Sequence, residues 1–121
     1  MNILLIIVYK SKGIFMINSV VIVGNVGQNP EVKYFDSGKV RTVLSIAVNR
    51  GSKDAPKTDW FRIELWDRNA EIAGEYVKKG SLIAIDGKLL QNKWKDQSGT
   101  AREYYFVRAN NIRLLGRKEA Q

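Results

Sequence analysis

Thr58-Asp59-Trp60-Phe61-Arg62-Ile63-Glu64-Leu65-Trp66-Asp67-Arg68 alternates with a period of two. Successive side chains of a strand take opposite faces, so Phe61, Ile63 and Leu65 share one face and Trp60, Arg62, Glu64 and Trp66 the other. The first face is plain apolar core. The second carries two indoles with a guanidinium between them. Two readings follow from this strand alone. Either the indoles are covered by a helix or a second subunit, or they are left open as flat surfaces beside a cation. In both cases the chain must supply a sheet around this strand.

Other stretches supply it. Asn18 to Val26 reads as a first strand, rich in β-branched residues from Val20 to Val23. Gly24-Asn25-Val26-Gly27-Gln28-Asn29-Pro30 then gives a bulge or turn. No Gly-Lys-Ser/Thr follows, so it is not a phosphate loop, and the bare G-x-x-G within it lacks flanking helices. Glu31 to Phe35 is a short extended piece, and Asp36-Ser37-Gly38-Lys39 a hairpin turn. In the second strand Val40, Thr42, Leu44, Ile46 and Val48 share a face, with Arg41, Val43, Ser45, Ala47 and Asn49 opposite. Arg50 to Lys57 contains Gly and Pro and reads as a loop.

After the Trp60 strand, Asn69 to Lys79 has helical spacing, with Ile72, Ala73, Tyr76 and Val77 as its inward stripe. Asn69 is the expected cap, and Gly80 the expected residue just past the end. Leu82 to Ile85 opens a fourth strand, which Gly87 is expected to bend. Gln91 to Thr100 is a polar hairpin carrying Trp94 between Lys93 and Lys95. Arg102 to Leu115 is the fifth strand. The order is strand, strand, strand, helix, strand, strand. That predicts an all-β fold: a five-stranded Greek-key OB-fold barrel with one α-helix between strands 3 and 4. Its binding face uses strands 2 and 3 and the loops joining strands 1–2 and 4–5. Trp60, Trp66 and Trp94 all fall there, each with Arg or Lys nearby.

Composition narrows the function. The 121 residues suit one domain with a modest core. The net charge of +8 favours a polyanion, either nucleic acid or an anionic membrane surface, although excess Lys also serves solubility. There is no Cys and no His, so thiolate metal sites, disulfides and the commonest general base are absent. The apolar run Ile3 to Tyr9 is too short to span a bilayer and too poorly flanked to be a signal peptide. Met16 reads as the natural start. Residues 1–15 then form an N-terminal extension, 16–116 the domain, and 117–121 a short basic end.

Four stretches together resemble the bacterial single-stranded DNA-binding protein family: Val20 to Val32, Thr58 to Arg62, Ala70 to Ser81 and Lys93 to Gly99. The resemblance covers about residues 16–116. It implies a cytoplasmic, nucleoid-associated homotetramer, or an organelle counterpart, that wraps single-stranded DNA without sequence preference in replication, recombination and repair. No cofactor, no metal and no catalytic residue is implied. The family's stacking aromatics correspond to Trp60, Trp66 and Trp94; position 66 is usually Phe in the family. Its phosphate-contacting cations correspond to Arg62, Arg68, Lys79 and Lys93, and Phe61 to a subunit-interface residue. Two features depart from the family. Arg50 to Lys57 has no counterpart of its loop tryptophan, and the sequence stops at Gln121 with a basic end where the family continues into a flexible linker and an acidic tip that recruits replication and repair proteins.

Two other readings compete. A replication-restart accessory resembling primosomal replication protein B would also be short and basic, and usually dimeric. Three tryptophans on the binding surface are more than such an adaptor needs. A nuclease would need Asp59, Glu64 and Asp67 to share Mg²⁺; solvated or ion-paired carboxylates explain them more simply. Stacking and phosphate contacts do not separate DNA from RNA.

Overall fold

The computed structural model describes residues 16–117. The expected N-terminal extension and residues 118–121 of the basic end lie outside the described residues. The elements are β1 (Val20–Val26), β2 (Glu31–Tyr34), β3 (Val40–Gly51), β4 (Pro56–Trp66), α1 (Asp67–Tyr76), β5 (Ser81–Lys95) and β6 (Ala101–Arg117).

The strands run in the order β1-β5-β6-β4-β3-β2, and β1 also pairs with β3. The five long strands therefore close into a ring, as the order of elements predicts. The short piece from Glu31 is a sixth strand, added to the edge of β3. Two joints close the ring. At one, Asn25 and Val26 of β1 meet Ala47 and Ile46 of β3. At the other, β4 and β6 run parallel, with Ile63 beside Val107 and Glu64 beside Arg108. Gly87 lies at a shift in register between β5 and β6, and a Cβ there would collide with the Arg108 carbonyl. That is the bend expected of it.

Alternation sets the interior. Ile22, Val26, Val40, Leu44, Ile46, Ile63, Leu65, Ile83, Ile85 and Val107 are buried in one cluster with Ala70 and Ala73 of the helix. Burying a Leu or Ile side chain in this way stabilises a fold by roughly 1.5–3 kcal/mol. Thr42 is buried among them at no hydrogen-bonding loss, because its Oγ1 donates to the Ala70 carbonyl at 2.8 Å. This bond ties α1 to β3.

The helix departs from its sequence boundaries. It starts at Asp67, directly from β4, and ends at Tyr76. Asp67 itself takes a left-handed φ of 52°, a conformation Asp tolerates better than most residues, and so turns the chain without a side-chain cap. Asn69 is already inside the helix. Its Nδ2 donates to the Asn110 carbonyl of β6 at 3.0 Å, so it anchors rather than caps. Tyr76 is exposed, while Ala70, Ala73 and Val77 carry the inward contacts. Gly80 is not at the helix end. It has φ +91° in the following turn, where its N–H donates to the Val26 carbonyl at 2.7 Å. The expected loop from Arg50 to Lys57 is also shorter. The β3–β4 ladder continues to Gly51 opposite Pro56, leaving only residues 52–55 unpaired.

Candidate nucleic-acid interface

The outward face of the sheet is built by register. On β4 it presents Trp60, Arg62, Glu64 and Trp66. Opposite these on β3 stand Ala47, Ser45, Val43 and Arg41. On the other side, β6 lies parallel to β4, and Glu64 beside Arg108 puts Tyr104, Phe106 and Arg108 on the same face. Opposite them on β5 are Asn92, Leu90 and Lys88, with Trp94 opposite Arg102. Beyond β3, Lys33 of β2 pairs with Arg41.

Aromatic and cationic groups alternate across this face. The Lys33 Nζ lies 4.9 Å from the Phe35 ring centre. The Arg41 guanidinium lies 5.6 Å from Phe35 and 6.0 Å from Trp66. Arg108 lies 5.7 Å from Trp66. Glu64 then sits between two arginines, with its carboxylate 4.0 Å from both Arg62 and Arg108. Arg62 in turn lies 5.4 Å from the Tyr104 ring, which packs edge-on against Trp94 at 5.6 Å. Such pairs are within cation–π range. The Glu64 side chain is only 7% exposed, so two guanidiniums stay beside a nearly buried charge.

The three tryptophans differ. Trp60 is 61% exposed. Its six-membered ring lies against Gly27, where any Cβ would collide with it. Gly27 is held in place by its N–H, which donates to the Ser45 carbonyl at 3.0 Å. Trp94 is 45% exposed near the tip of the β5–β6 hairpin. The hairpin turn is organised by Asp96, whose carboxylate accepts from Ser98 N and Oγ, Thr100 N and Arg102 Nε. These bonds, the Ser98 hydroxyl first and then Arg102, hold the Asp96 carboxyl below its ordinary pKa. Trp66, by contrast, is half-covered. It stacks on Phe35 with ring centres 5.7 Å apart and planes 20° from parallel. Its Nε1 is buried and has no partner among the described residues, and the same holds for the Nε of Arg41.

The expected cations are not gathered in one place. Arg62 is central to the face. Arg68 lies on the first turn of α1, where its Nη1 is 3.8 Å from Glu71. Lys79 is exposed in the turn after the helix, its N–H donating to Asn29 Oδ1 at 2.9 Å. That turn adjoins the Gly27 segment and hence Trp60. Lys93 is exposed but pairs with Glu103, and alternation turns it away from Trp94. Phe61 points inward, half-buried against the core cluster.

Phe35, Arg41, Tyr104 and Arg108 join the face although the sequence did not single them out as site residues. Their parity along each strand was visible; the pairing that aligns four strands was not. The acidic residues have separate partners. Arg50 Nε donates to Asp59 at 2.6 Å, Glu64 lies between its two arginines, and the Val40 N–H points to Asp67 Oδ1 at 3.5 Å. Among the described residues no three acidic side chains converge on one point. A groove of about 390 Å³ opens beside Trp66 and Arg108, lined also by Lys39, Ala109 and Asn110. Among the described residues no helix is long and apolar enough to cross a membrane.

Residues 17–115 match the profile described as the single-strand binding protein family. The chain is 50% identical over 104 residues to single-stranded DNA-binding protein 1 of Nostoc sp. (strain PCC 7120), covering 85% of this chain and 87% of that one. It is 52% identical over 105 residues to single-stranded DNA-binding protein 1 of Synechocystis sp. (strain PCC 6803), covering 84% and 86%. A single-stranded DNA-binding protein of Thermosynechococcus vestitus is 42% identical over 103 residues, covering 84% and 85%.

Proposed function

The chain belongs to the single-strand binding protein family, and from that membership we propose how its outer face takes single-stranded DNA. The observation that carries the mechanism is the alternation of flat rings and cations across β5, β6, β4, β3 and β2. An unpaired strand has the same alternation, of bases and phosphates. Bases stack on Trp60, Trp66 and Trp94, and every base has a π-face, so stacking is tolerant of sequence. Phosphates lie against Arg62 in the middle of the track and against Lys79 at its Trp60 end, releasing counterions as they bind, while Arg68 on α1 and Lys93 on the opposite face of the hairpin lie off it. A duplex hides its base faces and cannot stack in this way. The protein thus holds and protects single strands during replication, recombination and repair, and does no chemistry on them.

Self-association follows from a second region. Val21 and Val23 of β1 are exposed, and among the described residues the Val20–Gly24 part of the strand pairs only with β5. An apolar strand with one free edge favours pairing with another copy. Phe61 packs on the core but is only half-buried, and its remaining surface is assigned to a further contact between copies, giving a homotetramer in the bacterial cytoplasm. Sedimentation equilibrium separates four subunits from two.

The test of DNA binding is tryptophan fluorescence titrated with oligo-dT, oligo-U and a duplex across a salt series. Strong quenching by oligo-dT, little by duplex, and weakening with salt are expected. An equal response to oligo-U would extend the substrate to RNA. No quenching by any strand would make the indoles structural and remove the mechanism.

A further inference from the structure

Phe35 lies one residue beyond β2, in a turn that has fixed backbone bonds. Its N–H donates to the Lys39 carbonyl, and the Gly38 N–H donates to the Phe35 carbonyl, each at 2.9 Å. Its ring meets Trp66 in a near-parallel stack with no room for a third ring. Lys33 and Arg41 flank the stack. Beside it are two buried donors with no acceptor among the described residues, Arg41 Nε and Trp66 Nε1. Buried donors are almost always paired, and an orphan loses its hydration with no return. Two orphans in cross-strand neighbours, Arg41 and Trp66, point to a ligand rich in acceptors. A nucleotide offers phosphate, sugar and base oxygens.

Phe35 is carried at the end of β2, an element able to open. β2 is the edge of the sheet, has four residues, and all four are exposed. A short, solvated edge ladder opens at lower free energy than the closed barrel.

We propose that Phe35 and Trp66 are the two walls of a slot that parts to take one unpaired base, with Arg41 and Lys33 at its phosphate. The slot extends the track past Trp66 to the sheet edge. It rests on the reading of the chain as a single-strand binder. No covalent step is involved. Base insertion exchanges one ring–ring contact for two and gives the orphan donors acceptors.

The test is equilibrium binding of oligo-dT to the full chain and to Phe35→Leu, Phe35→Tyr and Arg41→Gln, with thermal melting as the folding control. Leu keeps the apolar cover but not the flat ring. Phe35→Leu is expected to weaken binding about tenfold at an unchanged melting temperature, whereas Phe35→Tyr retains binding. Arg41→Gln is expected to reduce the slope of log affinity against log salt by about 0.7, the share of one phosphate on a single strand. With Trp60 and Trp94 replaced by Phe, oligo-dT should quench the remaining Trp66 emission. Unchanged or tighter binding by Phe35→Leu makes Phe35 a cover only and overturns the slot. Trp60→Ala separates the two failures. If it weakens binding while Phe35→Leu does not, the slot alone falls. If the unaltered protein binds no oligonucleotide, the wider reading falls with it.

Discussion

Trp60 and Trp66 stand on one face of one strand, six positions apart, and have opposite surroundings. Opposite Trp60 on β3 is Ala47, and Gly27 lies against its ring. Small neighbours leave the indole flat and open. Opposite Trp66 is Arg41, and Phe35 is stacked on the ring. Large neighbours half-bury it and leave its N–H without a partner among the described residues. The same residue type is thus an open platform at one end of the face and a packed wall at the other. Exposure here is set by cross-strand neighbours, which local sequence does not display.

The strongest way to break this comparison is to truncate both indoles. Trp60→Ala should weaken oligo-dT binding by about 1–3 kcal/mol, the value of one stacked base, with little change in melting temperature. Trp66→Ala should also cost stability, roughly 2 kcal/mol in urea unfolding, somewhat less than truncating a fully buried aromatic. Equal stability losses would mean that the two sites are not different in kind. A smaller effect tests the open end. Gly27→Ala should displace the Trp60 ring and weaken oligo-dT binding by roughly 1 kcal/mol, a fraction of the stacking term. Quenching at Trp94, measured with Trp60 and Trp66 replaced by Phe, should be unaffected.

Charge gives a finer comparison. Arg62 and Arg108 flank Glu64 symmetrically at 4.0 Å. Replacing either with Ala should lower the salt slope by about 0.7 if each meets one phosphate. A change for Arg62 alone would place the phosphate track on the Tyr104 side of Glu64. The smallest expected effect lies in the hairpin. The Asp96 carboxyl is held below its ordinary pKa by Ser98, Arg102 and Thr100. A group depressed on folding contributes stability that is full above its unfolded pKa, about 3.9, and lost as pH falls through the folded value. Near neutral pH the turn should therefore be insensitive to acid. Amide shifts of Ser98 and Thr100 should move only below about pH 4, and Asp96→Asn should abolish that transition.

Much of the barrel was legible because alternation is local. Val40, Thr42, Leu44 and Ile46 declared an inward face, and all four are buried. The helix ends were less legible. Asn69 has a capping side chain, but the turn is made two residues earlier by the backbone of Asp67. The loop after β3 was drawn from Arg50 to Lys57 by its Gly and Pro, yet the β3–β4 ladder extends to pair Gly51 with Pro56. At the site, Trp60, Arg62, Trp66 and Trp94 were visible as aromatic and basic residues at strand spacing. Phe35 and Arg41 were not, because their role depends on β2 lying beside β3 and β3 beside β4. Glu64 looked like one of several carboxylates until β6 brought Arg108 alongside it.

The ring's two closing joints also bear on the order of assembly. Most of the outer face belongs to two hairpins, β3–β4 and β5–β6, each joined by a short turn. Such pairings close small loops and form early. β1 must find β5 some sixty positions away in the chain, and it meets β3 through only two residue pairs. In an isolated copy it is therefore expected to be the last long strand to dock and the first to detach. Native-state hydrogen exchange should show the β1 amides opening at lower free energy than those of β3 and β4. The nucleic-acid face would then survive a fluctuation that unlatches the barrel.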